Sequence, residues 1–234
     1  MTYTELVSAI QTYTENTFPA TTLADNTVVS STTQLNRFIT QAEQRIYNTV
    51  QFPSLRKNVT GSVTSGNKYL SAPTDYLASY SLAVIDATGN YEYLLNKDVN
   101  FIRQAYPNPT SDTGIPKYYA LFGPTVNTST ITNELSFIVG PTPDASYSVE
   151  LHYYYYPESI TVAASGQTWL GDNFDTVLLY GSLVEAYTYM KGEADMIGLY
   201  DGKYKEALAL AKRLGDGMER QDAYRTGQYR QAVT

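Results

Sequence analysis

The chain contains no cysteine, one histidine and one tryptophan among its 234 residues. Without cysteine there is no disulfide, no thiolate metal ligand and no thiol nucleophile. With His152 as the sole imidazole, a histidine-based metal site or a Ser-His-Asp triad is hard to build. Long apolar runs are missing as well: nothing approaches the roughly 18 consecutive apolar residues of a membrane span. The opening Met1-Thr-Tyr-Thr-Glu5 lacks the basic-then-apolar pattern of a secretory leader, so a protein made and used without export is expected, with unmodified sequons at Asn58 and Asn127. Basic residues are outnumbered, 16 Lys and Arg against 23 Asp and Glu, for a formal charge of −7. That balance argues against nucleic-acid binding through an overall basic field.

Motifs that carry chemistry are equally scarce. Gly198–Tyr204 resembles a phosphate loop superficially, but it is one residue short, has Tyr204 where a magnesium-holding Ser or Thr belongs, and lies inside a helical stripe. Gly215-Asp-Gly217 follows no strand and opens no helix signal, so it is no dinucleotide fingerprint. Glu150 and His152 sit two apart on one strand face without an assignable nucleophile. Glu193, Asp195 and Asp201 lack the alternating ligand spacing of a calcium loop. No enzyme, cofactor or metal site is expected.

What the chain has in excess is tyrosine, 23 of them. Tyrosine joins a large contact area to a polar tip, which suits half-buried strands and wet interfaces, and most are expected on sheet faces. Helical stripes are the second feature. Between Gly171 and Gly215, Phe174, Val177, Leu178, Val184, Tyr187 and Met190 form one stripe, and Ile197, Tyr200, Tyr204, Ala207, Leu208, Ala211 and Leu214 another. Lys191-Gly192-Glu193 separates them, which predicts an antiparallel helical hairpin; Asp172 with Asp175 reads as its capping signal and Gly215 as its stop. At the other end, Thr2-Tyr-Thr-Glu5 is a capping box before Leu6, Val7, Ile10 and Tyr13. Ser31 and Gln34 open a second helix carrying Leu35, Phe38, Ile39, Ala42, Ile46 and Val50, after a Thr/Ser-rich stretch 20–33 that favours no packed element.

Between these ends the period changes from 3.6 to 2. Strands are expected around Val59–Val63, Lys68–Leu70, Tyr80–Val84, Tyr91–Leu95, Lys117–Phe122, Leu135–Val139 and Tyr147–Tyr156, with Thr125–Asn133 as a turn and a short helix capped near Asp98. The fold class is therefore α+β: an antiparallel helical bundle formed from both chain ends, an inserted antiparallel β domain, and an extended C-terminal tail. The divisions fall at 1–54, 55–168, 169–215 and 216–234. In the last strand tyrosines occupy both faces, which makes Tyr153, Tyr154, Tyr155 and Tyr156 candidates for contact with another subunit. In the tail, Arg220, Arg225 and Arg230 recur every five residues and Tyr224-Arg225 is echoed by Tyr229-Arg230. That segment reads either as a solvated terminus or as an arm that orders against a partner.

The order of two N-terminal helices, a tyrosine-rich β insertion, a C-terminal hairpin and a tail resembles the head-to-tail adaptor proteins of tailed bacteriophages. The resemblance spans essentially the whole chain. It is carried by Phe38-Ile-Thr-Gln-Ala-Glu-Gln-Arg-Ile-Tyr47, Tyr69-Leu-Ser-Ala-Pro-Thr-Asp-Tyr76, Gly114-Ile-Pro-Lys-Tyr-Tyr119, Phe137-Ile-Val-Gly-Pro-Thr-Pro143, Leu151–Pro157, and Trp169–Lys191 leading into Tyr200–Arg213. It implies a virion protein of the neck, made in the host cytoplasm: a ring of twelve copies with the portal above, a tail, nozzle or neck protein below, DNA in transit through the lumen, and no cofactor, catalysis or membrane. In that setting Arg220, Tyr224, Arg225, Tyr229 and Arg230 become the candidate portal-binding residues. A tyrosine-rich virion module that binds host glycans, or another tail component, is the rival reading, and a small enzyme a third.

Overall fold

The computed structural model describes residues 1–127 and 130–225, apart from the side chains of Pro53, 125–134 and 215–225. The chain is mixed α+β, with six α-helices and three sheets among the described residues. Two compact units are present: Met1–Leu55 with the chain from Pro157 onward, and Arg56–Tyr156. The stretch 157–168, expected with the β domain, thus falls in the helical unit.

Helix α1 (Tyr3–Thr14) begins as its capping box dictates: Thr2 Oγ1 accepts from the Glu5 N–H, and Glu5 Oε2 accepts from the Thr2 N–H. It buries Leu6 and Ile10. The stretch 20–33 is not the featureless loop its composition suggested. Strands β1 (Thr21–Thr22) and β2 (Val28–Val29) pair across a turn in which Asp25 Oδ1 accepts from the Thr27 N–H and Asn26 takes a positive φ of 63°. Buried Val29 and the inward-turned Gln34, whose Nε2 donates to the Pro19 and Val29 carbonyls at 3.0 and 3.3 Å, hold this hairpin down. Helix α2 (Ser31–Thr49) starts one residue ahead of the expected signal, because Ser30 is the cap that accepts from the Thr33 N–H. The stripe Leu35, Phe38, Ile39, Ala42 and Ile46 is buried as read.

The return to helix departs from expectation at its start. Thr168, not Asp172, caps a short α4 (Trp169–Asn173), and Phe174 joins it to α5 (Asp175–Met190) without a side-chain capping bond. The cause is tertiary: Phe52 packs against Trp169 and Phe174, with ring centroids 5.2 and 5.1 Å away. Helix α5 is buried on more than one face, at 177–179, 181–184 and Ala186, and packs against α1, α2 and α6. Gly181 permits close packing there, since a Cβ would meet Ala42 Cβ and Tyr204 Cε2, each at 3.2 Å. Lys191, at φ 54°, ends α5, and Ala194 begins α6 (Ala194–Arg225), giving the expected hairpin. Tyrosine also serves helix packing, as the helical stripes through Tyr13, Tyr187 and Tyr200 implied: Tyr13, Tyr180 and Tyr187 surround the Tyr200 ring. Burial and then the bond with Tyr187 push the Tyr200 phenol up to about 12.

Gly215 does not stop α6, and the path from Asp216 is not extended: the backbone stays helical to Arg225. A helical glycine costs about 1 kcal/mol against alanine, too little to break a helix already nucleated by packing, and Met, Glu, Arg, Gln and Ala between 218 and 225 propagate it well. Residues 226–234 of the expected arm lie outside the described residues.

The second unit contains β3 (Arg56–Val63), β4 (Tyr69–Ser71), β5 (Ala78–Ile85), β6 (Tyr91–Tyr93), β7 (Leu95–Asn96), α3 (Val99–Ala105), β8 (Tyr118–Asn127), β9 (Thr130–Gly140) and β10 (Tyr147–Tyr154). One sheet has the order β3-β10-β5-β6, the other β4-β9-β8-β7. The second is not wholly antiparallel, because β7 pairs with β8 in parallel. The expected turn 125–133 is instead continued ladder, with Asn127 opposite Thr130, as the β-branched Thr, Val and Ile of that stretch favour. Val63, Leu82, Val84, Val149, Leu151 and Tyr153 of one sheet pack with Tyr119, Phe137 and Val139 of the other, so the core lies between them. Helix α3, capped by Asp98, covers the far side of the second sheet through Ile102 against Ala120 and Ile138. Arg56 pairs with Tyr154, so the unit's first and last strands are hydrogen-bonded neighbours.

Candidate docking surface

Strand β10 alternates as the period-two pattern requires. Val149, Leu151 and Tyr153 face the sandwich core, while Ser148, Glu150, His152 and Tyr154 face outward. The sequence grouped Tyr153 to Tyr156 as one candidate contact; the structure separates them. Tyr153 is 1% exposed, and its hydroxyl donates to Asp75 Oδ1 at 2.7 Å. Asp75 also accepts from Lys57 Nζ at 2.8 Å, and that ammonium lies 5.0 Å from the half-buried Tyr155 ring. Tyr154 is half-buried on the outer face and Tyr156 is exposed.

That outer face gathers residues the sequence reading did not single out. A register shift between His152 and Tyr153 relative to β5 accompanies the placement of the Tyr80 ring 6.3 Å from His152 and 6.2 Å from Tyr154. The Arg56 guanidinium lies over both tyrosines, 4.7 Å from the Tyr80 centroid and 6.0 Å from that of Tyr154. Glu150 accepts from Asn58 Nδ2 of β3 at 2.7 Å and, toward β6, from the Tyr91 hydroxyl at 3.1 Å. The carboxylate raises the Tyr91 phenol above its ordinary value, by hydrogen bonding first and charge second. Tyr91 stacks on Tyr93, and the two rings are 51% and 67% exposed. The alternation Tyr91-Glu-Tyr93 was the available signal: two aromatics on one face of a short strand next to a turn.

Chemically, this face offers oriented aromatic rings, a guanidinium held over two of them and a carboxylate already satisfied by neutral donors. Tyrosine with arginine and little net charge is the composition of a protein interface core. Of the other candidates, Arg220, Tyr224 and Arg225 lie in the final turns of α6, and Tyr229 and Arg230 lie outside the described residues.

The family model described as SU10 adaptor protein matches residues 1–231. The chain belongs to that family. No curated protein matches it. As an SU10 adaptor it is a structural protein of the phage virion, from a head-to-tail adaptor family that implies association with portal and tail components and no catalysis. Among the described residues of this adaptor, no helix is long and apolar enough to cross a membrane.

Proposed function

We propose that this adaptor forms a ring, of twelve copies as the family resemblance implies, between the portal and the tail or neck, with DNA passing through its lumen. The match over residues 1–231 is the observation that carries the reading. The charge of −7 per copy favours it, since a ring of such chains presents DNA with few cations to stick to. In this reading α1, α2, α5 and α6 act as one bundle that supports the ring, and the end of α6 with the residues after it carries the portal contact through Arg220, Tyr224, Arg225, Tyr229 and Arg230. The outer face of β10, with Tyr154, Tyr80, Tyr91 and Tyr93, supplies the contact to a neighbouring copy; Tyr155 and Tyr156 lie at its end, and Tyr153 acts from beneath by fixing Asp75.

Imaging of the virion neck at subnanometre resolution tests this. A ring of this chain seated on the portal is the expected result, and a neck without it defeats the proposal. The stacked, exposed Tyr91 and Tyr93 beside Glu150 and Asn58 also favour a glycan platform as the second reading. A copy found only at a tail tip or fibre, with sugar bound over those rings, would select it.

A further inference from the structure

The helical unit contains a groove that the adaptor reading leaves unused. The β1–β2 hairpin, α2 and α5 enclose a cavity of about 350 Å³. Its apolar wall is Leu23, Val29, Phe38 and Tyr189, and its polar side includes Arg37, Gln41 and Glu185, whose carboxylate is paired with Arg45. Its aromatic floor is a cluster of rings: the Phe38 ring lies 5.3 Å from Phe18 and 5.2 Å from Tyr189. The groove continues along α2 past Gln44 and Asn48, with Gln41 and Glu185 common to both parts. Polar amides thus follow the apolar cavity along one side of the same helix.

Two features say what fits. Leu23 and Tyr189 line the cavity and remain 47% and 52% exposed, and Val28 beside them on the hairpin is 63% exposed, an apolar rim left open to water. Arg37 is exposed and, among the described residues, has no hydrogen-bond or ion-pair partner, whereas Arg45 further along is paired with Glu185 and lies over Tyr204. An unpaired guanidinium beside an apolar cavity is complementary to a carboxylate attached to a bulky apolar group. The amides of Gln41 and Gln44 offer both donors and acceptors to a peptide backbone running past them.

We infer that this groove is a docking site for a peptide segment of another virion protein, with a bulky apolar side chain in the cavity and an adjacent Asp or Glu on Arg37. The 20–33 stretch then has a task that its length and composition did not disclose: it supplies one wall of the groove. The contact is separate from the β10 face and from the end of α6, so it goes beyond the ring proposal.

The probe is an array of overlapping 12-residue peptides covering the other proteins of the same virion and this chain itself, bound to the purified full-length protein. Peptides pairing Phe, Leu or Trp with a carboxylate within two residues should bind. Arg37→Glu and, separately, Leu23→Asp should each weaken them at least tenfold. Both positions are exposed, so the variants should keep the wild-type melting temperature, and Arg37→Lys should retain part of the affinity. Absence of binding, binding unaffected by Arg37→Glu, or binding confined to basic peptides or to peptides of this chain overturns the inference. A ring seen in the neck alongside such a failure removes the groove proposal alone and leaves the ring proposal standing.

Discussion

The Glu43 carboxylate on α2 accepts a hydrogen bond from the backbone N–H of Ile160 at 3.0 Å, joining residues 117 apart in sequence. The Ser159 hydroxyl bonds to the same carboxyl, and both Glu43 and Ile160 are almost fully buried. The buried carboxyl therefore holds in place the segment by which the chain re-enters the helical unit. Burial raises the Glu43 pKa above its ordinary 4.5, outweighing the hydrogen bonds that lower it. The folded chain then binds this proton more tightly than the unfolded chain does. The contribution to stability is complete below about pH 4.5 and is lost as pH rises through the folded value. In urea titrations across this window, Glu43→Gln, which keeps the acceptor oxygen, should remove that component of the pH dependence. Glu43→Ala leaves the buried Ile160 N–H unpaired and should cost about 1–3 kcal/mol. An unchanged pH slope in Glu43→Gln would show that another group is responsible.

Gly181 lies where α5 packs closely on both Ala42 of α2 and Tyr204 of α6. Gly181→Leu should destabilise by about 1–3 kcal/mol, because Ala42 and Tyr204 leave no room for the added carbons. Leu178, fully buried three residues earlier, should lose about 2–5 kcal/mol on replacement by alanine. Chemical denaturation of the two variants measures both effects, and a Gly181→Leu protein as stable as wild type would contradict the packing described.

The exposed pair Tyr91 and Tyr93 separates folding from assembly. Replacing both by alanine should change monomer stability by no more than about 1 kcal/mol, as is usual for surface positions. Ring formation, followed by sedimentation or by imaging with portal, should fail. Rings that form normally from this variant would move the intersubunit contact off the β6 side of the sheet.

The end of α6 is tested by truncation. Ala211 is the last core residue that the helix contributes among those described, so deleting 216–234 should leave a folded protein with a near-native circular dichroism spectrum. Binding to purified portal should be lost. A truncated chain that binds portal with unchanged affinity would place that contact elsewhere on the helical unit.

Much of the fold was legible where the signal is local. The Thr2–Glu5 capping box, the Asp98 cap of α3, the break at Lys191-Gly192-Glu193 and the alternation of β10 each depend on residues a few positions apart, and each is present in the structure. Errors arose where distant residues overrule local preference. Asp172 lost the cap to Thr168 because Phe52, far away in sequence, draws Trp169 and Phe174 into one cluster. Gly215 read as a stop, yet propagation from a packed helix outweighed its cost.

The same division holds for the surfaces. By itself the sequence determined that thiol and disulfide chemistry are absent and that helices close both ends of a β insertion, since composition and period belong to single stretches of chain; the family entered through resemblance. Which tyrosines are free to meet a partner was decided only by tertiary structure. Tyr153 and Tyr154 are adjacent in the chain, but the pleat sends one into the core and brings the other under Arg56 beside Tyr80. Arg37 and Tyr189 come to line one cavity by the same kind of long-range packing, which no periodicity encodes.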